Sequence, residues 1–219
     1  TLFGISVTSA NLQAEQFTVE IENLTNGIYF TPLLVAAHDS STHLFETGSA
    51  ASTSLETMAE GGDISGLVTD IASASPVTVE NPKGGLLAPG ESTTTVMLNT
   101  DDSDNGYLSI VAMMLPTNDG FVGLDSWEIP STAGTYTFTI NGYDAGTEGN
   151  DELTGSIPAP IDFGTGTGGT GVSTNDNNAT VHIHPGSIGD DDSAGGISDL
   201  DNSVHRWLNP IARITVVIQ

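Results

Sequence analysis

The segment Phe17 to Leu24 reads FTVEIENL, with Phe17, Val19 and Ile21 on one set of alternate positions and Thr18, Glu20 and Glu22 on the other. A period of two sends alternate side chains to opposite faces, so this stretch is a half-buried strand. The pattern recurs in short β-branched runs at Ser92 to Leu98, Tyr107 to Leu115, Thr135 to Asn141, Ala179 to His184 and Ile211 to Ile218. Asn26-Gly27 reads as a turn into a second, more buried strand over Ile28 to Ala37, and Asp101 to Gly106 as a tight acidic hairpin turn. Helical spacing is confined to Ala50 to Glu60, where Leu55, Met58 and Ala59 share a face and Gly61-Gly62 ends the run, with Ile64 to Ile71 as a further helical turn. These signals predict an all-β, antiparallel β-sandwich with long loops and one or two short helices. The length, 219 residues, suits one such domain over 1–219, with the Gly/Thr-rich stretch Gly164 to Asn178 as an excursion within it.

Charge narrows the set of partners. Lys83, Arg206 and Arg213 face 28 acidic residues, for a formal net charge of -25. Such a surface repels the phosphates of nucleic acid and the anionic headgroups of membranes. It favours divalent cations, for which carboxylates are hard oxygen ligands. It also keeps a protein soluble in saline surroundings, and much of the acid reads that way. There is no cysteine, and no run approaches the roughly 20 apolar residues that cross a bilayer. The chain starts at Thr1 without a basic leader, which reads as a mature or trimmed extracellular chain.

Three segments carry a family pattern. Met113 to Asp125 reads MMLPTNDGFVGLD, an apolar strand ending in a Pro-x-x-Asp turn followed by Phe-Val-Gly. Tyr143 to Glu148 reads YDAGTE, and Asn23-Leu24-Thr25 is followed by Phe30-Thr31-Pro32. In this order the segments resemble the spondin-domain family. The later His182-Ile183-His184-Pro185-Gly186 and His205-Arg206-Trp207 stretches are similar to its bacterial secreted branch. The resemblance implies a C2-like, calcium-binding β-sandwich that acts outside the cell in adhesion or matrix contact. It assigns the metal to Asp119, Asp144 and the acidic position Glu148, with Asp125 a secondary candidate. The lack of cysteines departs from the animal members and their disulfide.

The residues themselves are compatible with calcium. Asp119 stands before Gly120 at a strand end, and Asp144 and Glu148 flank Gly146, which lets their loop curl. The bland alternative is that these acids are turn formers. The triplets Asp101, Asp102, Asp104 and Asp190, Asp191, Asp192 read as solvated turns, because neither fits a calcium-loop template.

A second candidate site is built from histidine. His182 and His184 are two apart on a predicted strand and share a face, and His205 with Trp207 follows before the last strand. His38 closes an early strand and joins them if the strand ends share an edge. Imidazole suits copper or zinc. The alternative is that these histidines are hydrogen-bonded anchors and Trp207 a packing residue. No nucleophile elbow, phosphate loop or zinc-protease helix is present, so no enzyme is expected beyond metal-dependent chemistry at the histidines.

Three functions therefore stay open. The first is a calcium-stabilised module that contacts a matrix or cell-surface protein. The second is a surface copper or zinc binder. The third is a self-associating structural subunit of an extracellular layer or filament, whose apolar Leu2 to Val7 pairs with a neighbour's sheet edge.

Overall fold

The computed structural model describes residues 15–101, 103–158, 179–192 and 195–219. The 164–178 excursion and the Leu2 to Val7 segment lie outside these residues. Among the described residues eleven strands form one antiparallel hydrogen-bonded network. They are β1 (Gln16–Asn23), β2 (Tyr29–Phe30), β3 (Leu34–His38), β4 (Val77–Glu80), β5 (Ser92–Thr94), β6 (Leu98–Asn99), β7 (Tyr107–Leu115), β8 (Gly120–Glu128), β9 (Gly134–Asp144), β10 (His182–Ile183) and β11 (Ala212–Ile218). The order is β4-β3-β7-β8-β9-β11-β1-β5, with β10 on β9, β2 on β7 and β6 on β1. The fold is thus all-β and antiparallel, and the layers of the expected sandwich are parts of one continuous sheet that curls on itself.

Alternation decides which side chains fill the interior. Phe17, Val19 and Ile21 of β1 are fully buried and meet Ile214 and Val216 of β11, and Leu108, Ile110, Ala112 and Met114 of β7, in one cluster. The opposite face of β3, β7 and β8 is apolar as well. Leu34, Val111, Met113 and Phe121 form a second cluster there, covered by α1 (Thr53–Gly61) and α2 (Ser65–Ile71) through Leu55, Met58 and Leu67. Apolar cover on both sides explains why β7 reads as a continuous run, YLSIVAMML, without polar alternation. Ser52 caps α1 by accepting from the Leu55 amide at 3.1 Å, and Gly62 ends it at φ 73°.

Several boundaries differ from the sequence reading. Ile28 to Ala37 is two strands, β2 and β3, because Pro32 lacks an amide to donate to a ladder. Asn26-Gly27 does not join paired strands, since β1 pairs with β11 and β5 while β2 pairs with β7. Asp101 to Gly106 likewise links β6 to β7, which pair with different partners, so it is no hairpin. Ser92 to Leu98 splits into β5 and β6, and Ala179 to His184 shortens to β10. β4 and β8 escape prediction: β4 alternates but over only four residues, and β8 is buried on both faces at its start and bulged later.

Candidate functional site

The turn from β7 to β8 is closed by Thr117, whose hydroxyl accepts from the Gly120 amide at 3.0 Å and donates to the Met114 carbonyl at 2.7 Å. This places Asp119 next to Gly120, which pairs across the sheet with Asp144 of β9. The Ala145 amide then donates to the Asp119 carbonyl at 3.2 Å, so the two aspartates share one end of the sheet. The loop after β9 wraps the Asp119 carboxylate. Its Oδ2 accepts from the Thr147 amide at 2.8 Å, the Thr147 hydroxyl at 3.2 Å and the Glu148 amide at 3.1 Å. Gly146 makes the wrap possible: its φ is +73°, and a Cβ there would lie 2.7 Å from the Thr180 amide nitrogen. Asp144 accepts from the Gly146 amide at 2.8 Å and from the Asn150 side-chain amide at 2.7 Å.

Burial makes this cluster costly. Asp119 is 0% exposed, and Asp144 and Glu148 are each 2% exposed. The Asp119 carboxyl is held above the ordinary carboxylate range, first by burial and then by the charge of Asp144; amide bonds from Glu148 and Thr147 offset part of this. Its other oxygen, Oδ1, is buried and has no hydrogen-bond partner among the described residues. Glu60, at the end of α1 beside Thr147, is also pushed up, chiefly by burial.

Two of the predicted histidines arrive at this same end, so half of the second candidate site merges with the first. His182 pairs with Asp144 across β10 and β9, and its Nε2 lies 3.8 Å from Asp144 Oδ2. Its Nδ1 is 2.7 Å from the Thr180 carbonyl, so Nδ1 carries a proton and Nε2 is the ring atom that faces the carboxylate. A backbone carbonyl that fixes Nδ1–H in this way leaves Nε2 competent as a metal ligand. His184 is different. Its Nδ1 accepts from the Gly186 amide at 3.0 Å, which puts the proton of the neutral ring on Nε2, a buried atom with no hydrogen-bond partner among the described residues. Burial pushes His184 down to about 4, against the pull of Asp119, so the ring is neutral at pH 7. It is a donor beside Asp119, not an open ligand. Gly120 gives it room, because a Cβ there would lie 3.1 Å from His184 Cδ2. Trp207 packs at a tilt against the ring, with centroids 5.0 Å apart.

Other predicted residues lie elsewhere. His38 pairs with Tyr107 at the far end of β7, bound to the Asp39 carbonyl and the Ser109 hydroxyl at 2.8 Å each, so it does not join the cluster. His205 is tied to Asp201, whose amide donates to its Nδ1 at 3.1 Å. Asp125 contacts His43 Nδ1 at 3.1 Å and is no part of the Asp119 loop. Ser126 completes a trio with them, but its hydroxyl and Asp125 meet the same ring nitrogen, so the ring cannot relay a proton between them. Asn150 and Glu60 were missed. Asn150 follows Glu148 in a run that reads as an ordinary turn, and Glu60 comes from a distant helix that no local signal connects to the loop.

Among the described residues no three His, Asp or Glu side chains close into a metal site by themselves. None of their helices is long and apolar enough to cross a membrane. The family Spondin_N matches the sequence over residues 13–159, which spans β1 to the loop beyond Glu148. No curated protein matches the chain at a significant level.

Proposed function

The chain belongs to the Spondin_N family, and from that premise we propose that it is an extracellular interaction module whose Asp119 and Asp144 loops bind a divalent cation, calcium first. The observation that carries this reading is Asp119 Oδ1, a fully buried carboxylate oxygen without a hydrogen-bond partner among the described residues, beside the second buried carboxylate of Asp144. A buried, unpaired carboxylate is destabilising by itself, and a bound cation reverses the sign of that contribution. Calcium takes about six to eight oxygens, so Asp119, Asp144 and Glu148 would be joined by loop carbonyls and water. The ion would pin the β7–β8 turn to the loop after β9 and so fix the surface that contacts a matrix or cell-surface partner.

His182 favours a second reading. Its Nε2 faces Asp144 Oδ2, an imidazole–carboxylate pair that suits zinc or copper better than calcium. Melting of chelator-stripped protein with calcium, zinc or copper separates the two. Calcium binding raises the melting temperature of wild type and His182→Gln alike, and Asp119→Asn abolishes the rise. A rise with zinc or copper that His182→Gln removes, and none with calcium, favours the second reading. No rise with any ion overturns both.

A further inference from the structure

Beside the cation loops, segments 185–188 and 206–208 enclose a cavity of about 370 Å³, within the range of small-ligand sites. Its walls are fixed from within. Gly186 has φ +92°, and a Cβ there would lie 2.7 Å from the Trp207 carbonyl oxygen, so the two segments are pressed together. The Trp207 indole donates to the Ser187 hydroxyl at 3.2 Å. Glu152, on the rim, is occupied by the Ile188 amide at 2.6 Å and the Gly189 amide at 2.8 Å.

The cavity also holds an unusual cation. Lys83 pairs with Glu91 at 3.0 Å and Arg213 with Glu22 at 2.6 Å. Arg206, the remaining basic residue of a chain with net charge -25, lines the cavity and has neither ion pair nor hydrogen bond among the described residues. Its guanidinium presents a planar fork of donors that matches a carboxylate. Beside it, Ile188 and Leu208 are 68% and 76% exposed, large apolar side chains over the edge of the Trp207 wall.

We propose that this cavity binds a peptide segment in which a carboxylate side chain adjoins a large apolar one. The carboxylate takes Arg206, and the apolar side chain covers Ile188 and Leu208 against Trp207. A monoanion suits the site better than a phosphate, because each further negative charge meets the repulsion of the whole acidic surface. The site stands on residues outside the cation pair, so its test is run in chelator.

The probes are acetyl-Leu-Glu-amide and acetyl-Leu-Gln-amide, titrated into the ¹⁵N-labelled full chain. The reporter is the Trp207 indole N–H, with the indole of Trp127 as internal reference. The expected result is a saturable shift of Trp207 alone, half-complete at about 1 mM for the Glu peptide. The Gln peptide and the Arg206→Gln variant each weaken it about tenfold or more. Arg206 is exposed, so its replacement leaves the fold intact. No saturable shift, an equal response to both peptides, or an unchanged response in Arg206→Gln overturns the proposal.

Discussion

The molecule holds two clusters of aspartate that receive similar amide donors and differ in burial. Asp190, Asp191, Asp192, Asp199 and Asp201 ring a small surface cavity, and they are solvated. Asp190 accepts from the amides of Asp192 at 3.0 Å, Ile197 at 2.8 Å and Ser198 at 3.0 Å, and these bonds hold it below the usual carboxylate range. Asp201 is lowered in the same way by the hydroxyl and amide of Ser203. Asp119 receives comparable donors on one oxygen, yet burial and Asp144 still leave it raised. Backbone donors suffice for a carboxylate that also meets water. They do not suffice for one that faces another carboxylate in the interior, and that difference is the ground for the cation site proposed there.

The largest expected effect is a control. Phe121 is fully buried next to the site and stacks on Tyr143 with ring centroids 5.6 Å apart. Phe121→Ala is expected to cost about 3–5 kcal/mol in denaturant unfolding, with or without calcium. The cation effect comes next. Saturating calcium, at roughly a hundred times its dissociation constant, stabilises wild type by about 2.7 kcal/mol, a rise of roughly 5–10 °C in melting temperature. Asp119→Asn loses that rise and melts no lower than wild type in chelator. Asp190→Ala is expected to lower the melting temperature less than Phe121→Ala does, and by the same amount in calcium and in chelator. A calcium-dependent loss there would break the contrast between the clusters.

The smallest effect is one of pH, and its sign differs between the two clusters. Asp119 is raised above its ordinary 3.8, so in chelator its contribution favours the fold at acid pH and is lost as pH rises through its folded value. Asp190 is lowered, so its contribution is present above 3.8 and is lost as pH falls through its folded value. The stability difference between wild type and Asp119→Asn therefore falls with rising pH, and that between wild type and Asp190→Asn rises. Urea unfolding at a series of pH values in chelator checks both slopes.

Much of this was legible in the sequence. The alternation of Phe17, Val19 and Ile21, the helical spacing of Leu55, Met58 and Ala59, and the long apolar β7 all report local periodicity, which survives folding. The strands β4 and β8 were not legible, because the four residues of β4 are too few for their alternation to stand out and β8 is buried on both faces where it starts. The loops of Asp119, Asp144 and Glu148 were legible through their motifs. The placement of His182 opposite Asp144, and of His38 at the other end of β7, was not: it follows from strand register, which no single segment encodes. The roles of the two neighbouring histidines were equally hidden, since Thr180 and Gly186 assign their tautomers through hydrogen bonds formed only in the fold.

Calorimetric titration of calcium into chelator-stripped wild type and Asp119→Asn tests the central claim most directly. The account predicts saturable heat with one ion per chain for wild type and none for the variant. Equal heats for the two proteins, or no heat for wild type, would contradict it.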